Sequence, residues 1–97
     1  MYNVHGRFDW DDGNIGHLAA HDVKPEEFEQ AFRNDPVRLS RSSHRRERRY
    51  AALGETDAGR VLAFVYTKRG KKIRGITAFT APRKLRGFYA QQKSKNR

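Results

Sequence analysis

Three strand-length runs follow one another between Arg49 and Phe79, separated only by two short turn segments. The runs read RYAALGE, RVLAFVYTK and IRGITAF, and the separators read TDAG and KRGKK. Strands joined by so few residues have no room for a crossover, so they run antiparallel as a meander. VLAFV is apolar throughout, which places it inside the sheet with both faces covered. A fourth run, VRLSR, precedes the three and carries an exposed basic side; SSHRRER is the loop or hairpin that follows it. The spacing predicts strands over 37–41, 48–54, 60–68 and 73–79.

The flanking segments change period. GRFDW reads as a further short strand beside this sheet, with Phe8 and Trp10 on one face. DDGN is a turn with capping residues. A helix over 13–21 follows, with Ile15, Leu18 and Ala19 on its apolar side. A better helix spans 25–33: Pro25 suits its first turn, Glu26 and Glu27 its positive end, and Phe28, Ala31 and Phe32 share a face. Asn34-Asp35-Pro36 stops it. Pro82 starts a closing helix over 82–92, with Leu85, Phe88 and Tyr89 on one side, and residues from about 90 to 97 read as a basic, frayed tail. The reading is a single α+β domain: an antiparallel meander packed against two N-terminal helices and a C-terminal one.

Charge narrows the partner. The 97 residues carry a net charge of +10, and most of the Asp and Glu lie before residue 36. A basic excess of this size points to a polyanion, nucleic acid first and an acidic protein second. A membrane surface is not expected, because no helix joins a basic face to a broad apolar one. Cysteine is absent, which excludes disulfides and thiolate metal sites. The N-terminus has no signal-type apolar core and no run is long enough to span a bilayer, so the expected location is cytoplasmic.

Four residue groups carry candidate chemistry. The basic set is Arg41, Arg45, Arg46, Arg48, Arg49, Lys68, Arg69, Lys71, Lys72 and Arg74; a meander brings its loop and turns to one end of the sheet, where guanidinium forks and ammonium groups meet phosphate. Of His5, His17, His21 and His44, His44 is the candidate general base because it lies inside the basic loop. His17 and His21 have metal-binding spacing but no carboxylate placed to complete a site, so no metal is expected, and His21 reads as a hydrogen-bonded helix-end residue. Tyr50, Tyr66 and Tyr89 are candidates for stacking on bases, Tyr89 at the end of a basic helix. Glu47 and Arg49, two apart on a strand, point the same way as a base or a positioning pair.

In order, the elements are Trp10-Asp11, His21 with Val23, Glu26-Glu27, Arg49-Tyr50 with Ala52-Leu53-Gly54, Gly59-Arg60 with Leu62, and Ile73-Arg74. Together they resemble the BrnT toxins over roughly Phe8 to Tyr89. The resemblance implies a RelE-like fold and a ribonuclease toxin of a type II toxin–antitoxin system that blocks translation. It implies metal-independent cleavage through the RNA's own 2′-hydroxyl, with no cofactor. It also implies a BrnA-like antitoxin with a ribbon-helix-helix part, through which alone the pair would meet operator DNA. Glu47, Arg49, Arg74 and Tyr89 inherit catalytic roles by position, beside His44. Arg45, Arg46, Arg48, Lys68, Arg69 and Lys72, with Arg83, Lys84 and Arg86 of the closing helix, are the expected RNA contacts.

This chain departs from the family pattern at three places. Phe79 stands where the family ends its last strand with arginine, Leu85 where the closing helix carries glutamate, and Asp22 where a glycine follows the histidine. The alternative reading is therefore a weakened or inactive homologue that binds antitoxin or RNA. On plain alternation Gly75, Thr77 and Phe79 share one strand face, and Phe79 packs under the closing helix.

Overall fold

The computed structural model describes residues 6–95, so His5 lies outside the described residues. The order is α1 (Asp12–Ala19), α2 (Pro25–Arg33), β1 (Val37–His44), β2 (Glu47–Glu55), β3 (Val61–Arg69), β4 (Lys72–Thr80) and α3 (Arg83–Lys95). The strands form one antiparallel sheet in the order β1-β2-β3-β4. The fold is thus the α+β meander with helices before and after that the sequence predicts.

The GRFDW segment forms one parallel bridge, Phe8 to Ile73, at the edge of β4. The backbone N–H of Asp9 donates to Ile73 O at 2.9 Å and that of Ile73 to Arg7 O at 2.7 Å. α1 begins at once, because Asp11 and Asn14 cap it reciprocally: Asn14 N–H donates to Asp11 Oδ1 at 3.1 Å and Asp11 N–H to Asn14 Oδ1 at 2.8 Å. The buried Asn14 amide also donates to Gly75 O at 3.0 Å, which fixes α1 along the β4 edge.

Each face of the sheet has its own core. The α2 face carries Tyr50, Ala52, Phe64, Tyr66, Ile73 and Ala78, packed with Phe8, Trp10, Leu18 and Phe28. Phe28 is fully buried and meets Phe64 edge-on at 5.0 Å. The α3 face carries Leu53, Ala63, Ala81 and Tyr89, with Val37, Val61 and Leu85 at its margin. β3 is covered on both sides, Phe64 toward α2 and Ala63 toward α3. α3 covers only this end of its face, and the opposite end stays open.

Several boundaries move for physical reasons. β1 runs to His44 rather than 41, because Ser42, Ser43 and His44 pair with Arg49, Arg48 and Glu47. Arg45 and Arg46 then make a two-residue turn with φ of +50° and +69°. The carbonyl of Pro82 accepts the first α3 bond, from Arg86 N–H at 2.9 Å. α3 continues to Lys95, and Lys93 Nζ holds the Asp35 carboxylate at 3.0 Å.

One expectation about side-chain direction is overturned. Val65 pairs with Thr77 but Tyr66 pairs with Gly75, so Ile76 is an extra residue, a β-bulge. The bulge reverses the alternation. Gly75 lies on the α2 face, where a Cβ would come within 2.8 Å of the Trp10 ring. Phe79 lies opposite Ala63 on the α3 face and is 37% exposed, so it is not packed beneath α3.

Candidate functional site

The open end of the α3 face is built by register. Arg49 pairs with Thr67 and Thr67 with Arg74, so the three stand side by side across β2, β3 and β4. Thr67 is buried and its hydroxyl donates to Arg48 O at 2.7 Å, holding β2 and β3 in line. On the outer side, Glu47 accepts from Arg49 Nε at 3.2 Å and from Arg69 Nη2 at 3.1 Å. Burial pushes the Glu47 carboxyl up, but the bonds from Arg69 and Arg49 outweigh it and hold it below the ordinary carboxylate range.

Arg74 reaches the other way. Its Nη1 donates to Asp11 Oδ2 at 2.8 Å and lies 3.6 Å from Asp9 Oδ2. The Arg74 bond, aided by Asn14 N–H, lowers the Asp11 carboxyl, and the Asp11 bond raises Arg74 in turn. The residue that starts α1 thus also holds an arginine of the sheet.

Between α1 and these strands lies a hollow of about 230 Å³. Asn14 and His17 line it from α1, Arg49, Arg69 and Arg74 from the sheet, with the bulged backbone at Gly75 and Ile76. The ring centroids of His17, on α1, and His21, in the turn after it, are 6.1 Å apart, and His21 lies 6.0 Å from Phe79. His17, His21 and Phe79 thus form a row of rings that begins at the hollow and leads away from it. Three guanidinium groups beside an imidazole can grip an anion in a defined orientation and exchange a proton with it.

The structure gathers Glu47, Arg49, Arg69 and Arg74 of the predicted residues. It distributes the others. His44 faces Glu47 across the β1–β2 pair at the exposed sheet end and does not line the hollow. Arg45 and Arg46 form the hairpin tip, and Lys72 pairs opposite Arg69. Arg41 pairs with Tyr50, and with Arg48 and Lys68 it belongs to the α2 face. Lys71 lies in the exposed β3–β4 turn. Arg83 and Lys84 are exposed on α3, and Arg86 is tied to Ala81 O at 2.8 Å. Tyr89 lies in the core beneath α3, 5% exposed, and burial raises its hydroxyl pKa. Tyr50 and Tyr66 stack on each other at 5.2 Å on the α2 face.

Asn14, read as a capping residue, and His17, read for its spacing from His21, line the hollow, and Asp11 holds Arg74 beside it. The sequence signal at His17 was its four-residue spacing from His21, which by itself says nothing of the sheet arginines. Among the described residues no group of three or more His, Cys, Asp or Glu is arranged to hold a metal ion.

A family model described as ribonuclease toxin, BrnT, of type II toxin-antitoxin system matches residues 10–84. The match spans α1 through the first residues of α3 and includes every residue of the hollow. No curated protein and no solved structure matches the chain.

Proposed function

The chain belongs to the BrnT family of ribonuclease toxins of type II toxin–antitoxin systems, and from that premise we propose that the hollow between α1 and the α3 face is where it cuts RNA. The observation that supports this reading is the convergence of Arg49, Arg69, Arg74 and His17 on one anion-sized space.

In the proposed reaction the 2′-oxygen attacks the adjacent phosphorus. The 2′-O–P bond forms, the P–O5′ bond breaks, and the products are a 2′,3′-cyclic phosphate and a 5′-hydroxyl. One proton leaves the 2′-hydroxyl and one is delivered to the departing 5′-oxygen. Negative charge gathers on the non-bridging oxygens, where guanidinium groups stabilise it. His17 is the imidazole of the hollow and takes the proton-transfer role. Glu47 is a positioning residue, holding Arg49 and Arg69 together. The donor set favours metal independence: three guanidinium groups repel a divalent cation, and Glu47 and Asp11 are already engaged by arginines.

The type II family implies an antitoxin protein partner and an RNA substrate. We take the antitoxin to be BrnA-like, with a ribbon-helix-helix part, and the outcome of cleavage to be arrest of translation in the cytoplasm. The test is cleavage of a defined transcript by the purified chain in excess chelator. Arg74→Gln should lower the rate by roughly 10²–10³-fold, and 2′-deoxy substitution at the cut nucleotide should abolish cutting there. Cutting that survives 2′-deoxy substitution would overturn the mechanism. Phe79 favours a second reading, a homologue that binds RNA or antitoxin with little cleavage, because it places a neutral ring where the family pattern carries arginine on this same face.

A further inference from the structure

Cations on the two sheet faces differ in what they hold. On the α3 face Arg49 and Arg69 share Glu47, and Arg74 holds Asp11. On the α2 face Arg38, Arg41, Arg48 and Lys68 have no carboxylate within ion-pair distance among the described residues. Register gathers them: Arg38 pairs with Ala52, Arg41 with Tyr50, and Tyr50 with Tyr66, beside Arg48 and Lys68.

An aromatic pair sets the geometry of this second cluster. The Arg38 guanidinium lies 5.1 Å from the centroid of the Tyr50 ring and the Lys68 ammonium 5.3 Å from the same centroid. That ring stacks on Tyr66, whose hydroxyl accepts from Arg38 Nη2 at 3.4 Å. A ring face orients a cation without neutralising it, so both keep their charge for an external anion. Ala52 and Tyr66 also floor a groove of about 440 Å³ between this cluster and the end of α2.

The hairpin tip links the two faces. Arg45 and Arg46 both adopt left-handed backbone angles, +50° and +69°. Asn and Gly occupy such a turn at little cost, whereas other residues cost about 1–2 kcal/mol each. Two arginines in strained positions mark a site where cationic side chains matter more than turn stability.

We propose that the Arg38–Tyr50–Lys68 cluster is a second binding site for the phosphodiester backbone of RNA. A strand held in the cleavage hollow passes over the Arg45–Arg46 tip and continues on the opposite face. This rests on the ribonuclease reading for the path of the strand, while the cluster stands on its own geometry. Continuity favours RNA over an acidic protein segment: the unpaired cations and the tip arginines form one basic route leading from the hollow.

The test uses fluorescence anisotropy with uncleavable 2′-O-methyl oligonucleotides of 4 and 16 nucleotides. Arg38→Gln/Lys68→Gln should weaken the 16-mer tenfold or more and the 4-mer less than twofold. The slope of log affinity against log salt for the 16-mer should become shallower by about 1.4, the loss of two phosphate contacts to a single strand. Arg41→Gln/Arg48→Gln, which leaves the aromatic pair untouched, should act in the same direction, and unchanged melting temperatures exclude misfolding. Equal weakening of both lengths, or an unchanged 16-mer, would overturn the proposal. Loss of polyglutamate binding with RNA affinity unchanged would assign the face to an acidic protein and overturn it too. Loss of the 16-mer in these variants, with cleavage indifferent to Arg74→Gln, would sustain this site while sinking the proposed cleavage hollow.

Discussion

Asp11 and Arg74 stand 63 residues apart in the chain, and their side chains meet at 2.8 Å. Asp11 does two things through its two oxygens. Oδ1 accepts from Asn14 N–H and starts α1, and Oδ2 accepts from Arg74 and holds the sheet's arginine against the helix start. The N-terminus of α1 and the centre of the hollow are therefore one hydrogen-bonded unit. If the hollow takes an RNA phosphate as proposed, that phosphate competes with Asp11 for Arg74.

Removing that competitor should strengthen RNA binding. Asp11→Asn keeps an oxygen to cap α1 but loses the ion pair, so affinity for an uncleavable oligonucleotide should rise severalfold by anisotropy. The parent should show the same release in acid. The Asp11 carboxyl is lowered in the folded protein, so its stabilising bond is complete above the ordinary carboxylate range and is lost as pH falls through the lowered value, below about pH 4. An Asp11→Asn variant that binds no better than the parent would show that Arg74 does not meet the phosphate.

His17 should shape the pH–rate profile. It lines the hollow with Arg49, Arg69 and Arg74, where the proposed reaction needs a proton donor or acceptor. His17→Gln should lower the cleavage rate roughly 10²–10⁴-fold, the usual contribution of a positioned acid or base, and should remove one limb of the profile. A lowered rate with the profile's shape intact would mean that His17 only packs. RNA affinity should change little, because the arginines remain.

The packing of α2 depends on Gly54. A Cβ at Gly54 would overlap the Ala31 carbonyl and come within 3.1 Å of the Phe64 ring. Helix backbone cannot yield as a flexible side chain does, so Gly54→Ala should cost about 1–3 kcal/mol. For a domain of this size each kcal/mol shifts the midpoint by roughly 4–8 °C, which thermal unfolding followed by circular dichroism reads directly. An unchanged midpoint would mean that α2 can lift from β2 without loss.

The parts of this fold that were legible are those written in apolar period and turn composition. RVLAFVYTK and IRGITAF read as strands because their apolar spacing and flanking turns agree, and PEEFEQAF reads as a helix for the same reason. Three features carried no such signal. The bulge at Ile76 adds one residue inside an unbroken apolar run, and period alone does not show where pairing slips. The Arg45–Arg46 turn lacks the Asn or Gly that marks a tight hairpin, so β1 appeared three residues shorter than it is. Tyr89 carries a polar handle on a basic helix, yet its ring faces Leu53 and Ala63 and its pKa is raised by burial. Within the candidate site, Glu47 and Arg49 were legible as strand neighbours. His17 became a site residue only once Asn14 bound α1 to the edge of β4.

Arg74 and Phe79 are five apart, which on a regular strand would put them on opposite faces. The extra residue at Ile76 cancels that offset, so Phe79 emerges on the same face as Arg74, about 13 Å further along β4 at the usual rise per residue. It is 37% exposed beside His21, so an arginine there displaces no core. If Arg74 takes the scissile phosphate as proposed, a guanidinium at that distance would meet the substrate further along the same strand. Phe79→Arg should therefore raise transcript cleavage by tenfold or more, with a melting temperature within a few degrees of the parent. Full cleavage by the parent and no gain in the variant would show that Arg49, Arg69 and Arg74 suffice. No cleavage by either protein, with RNA or antitoxin binding retained, would move the chain to the binding-module reading.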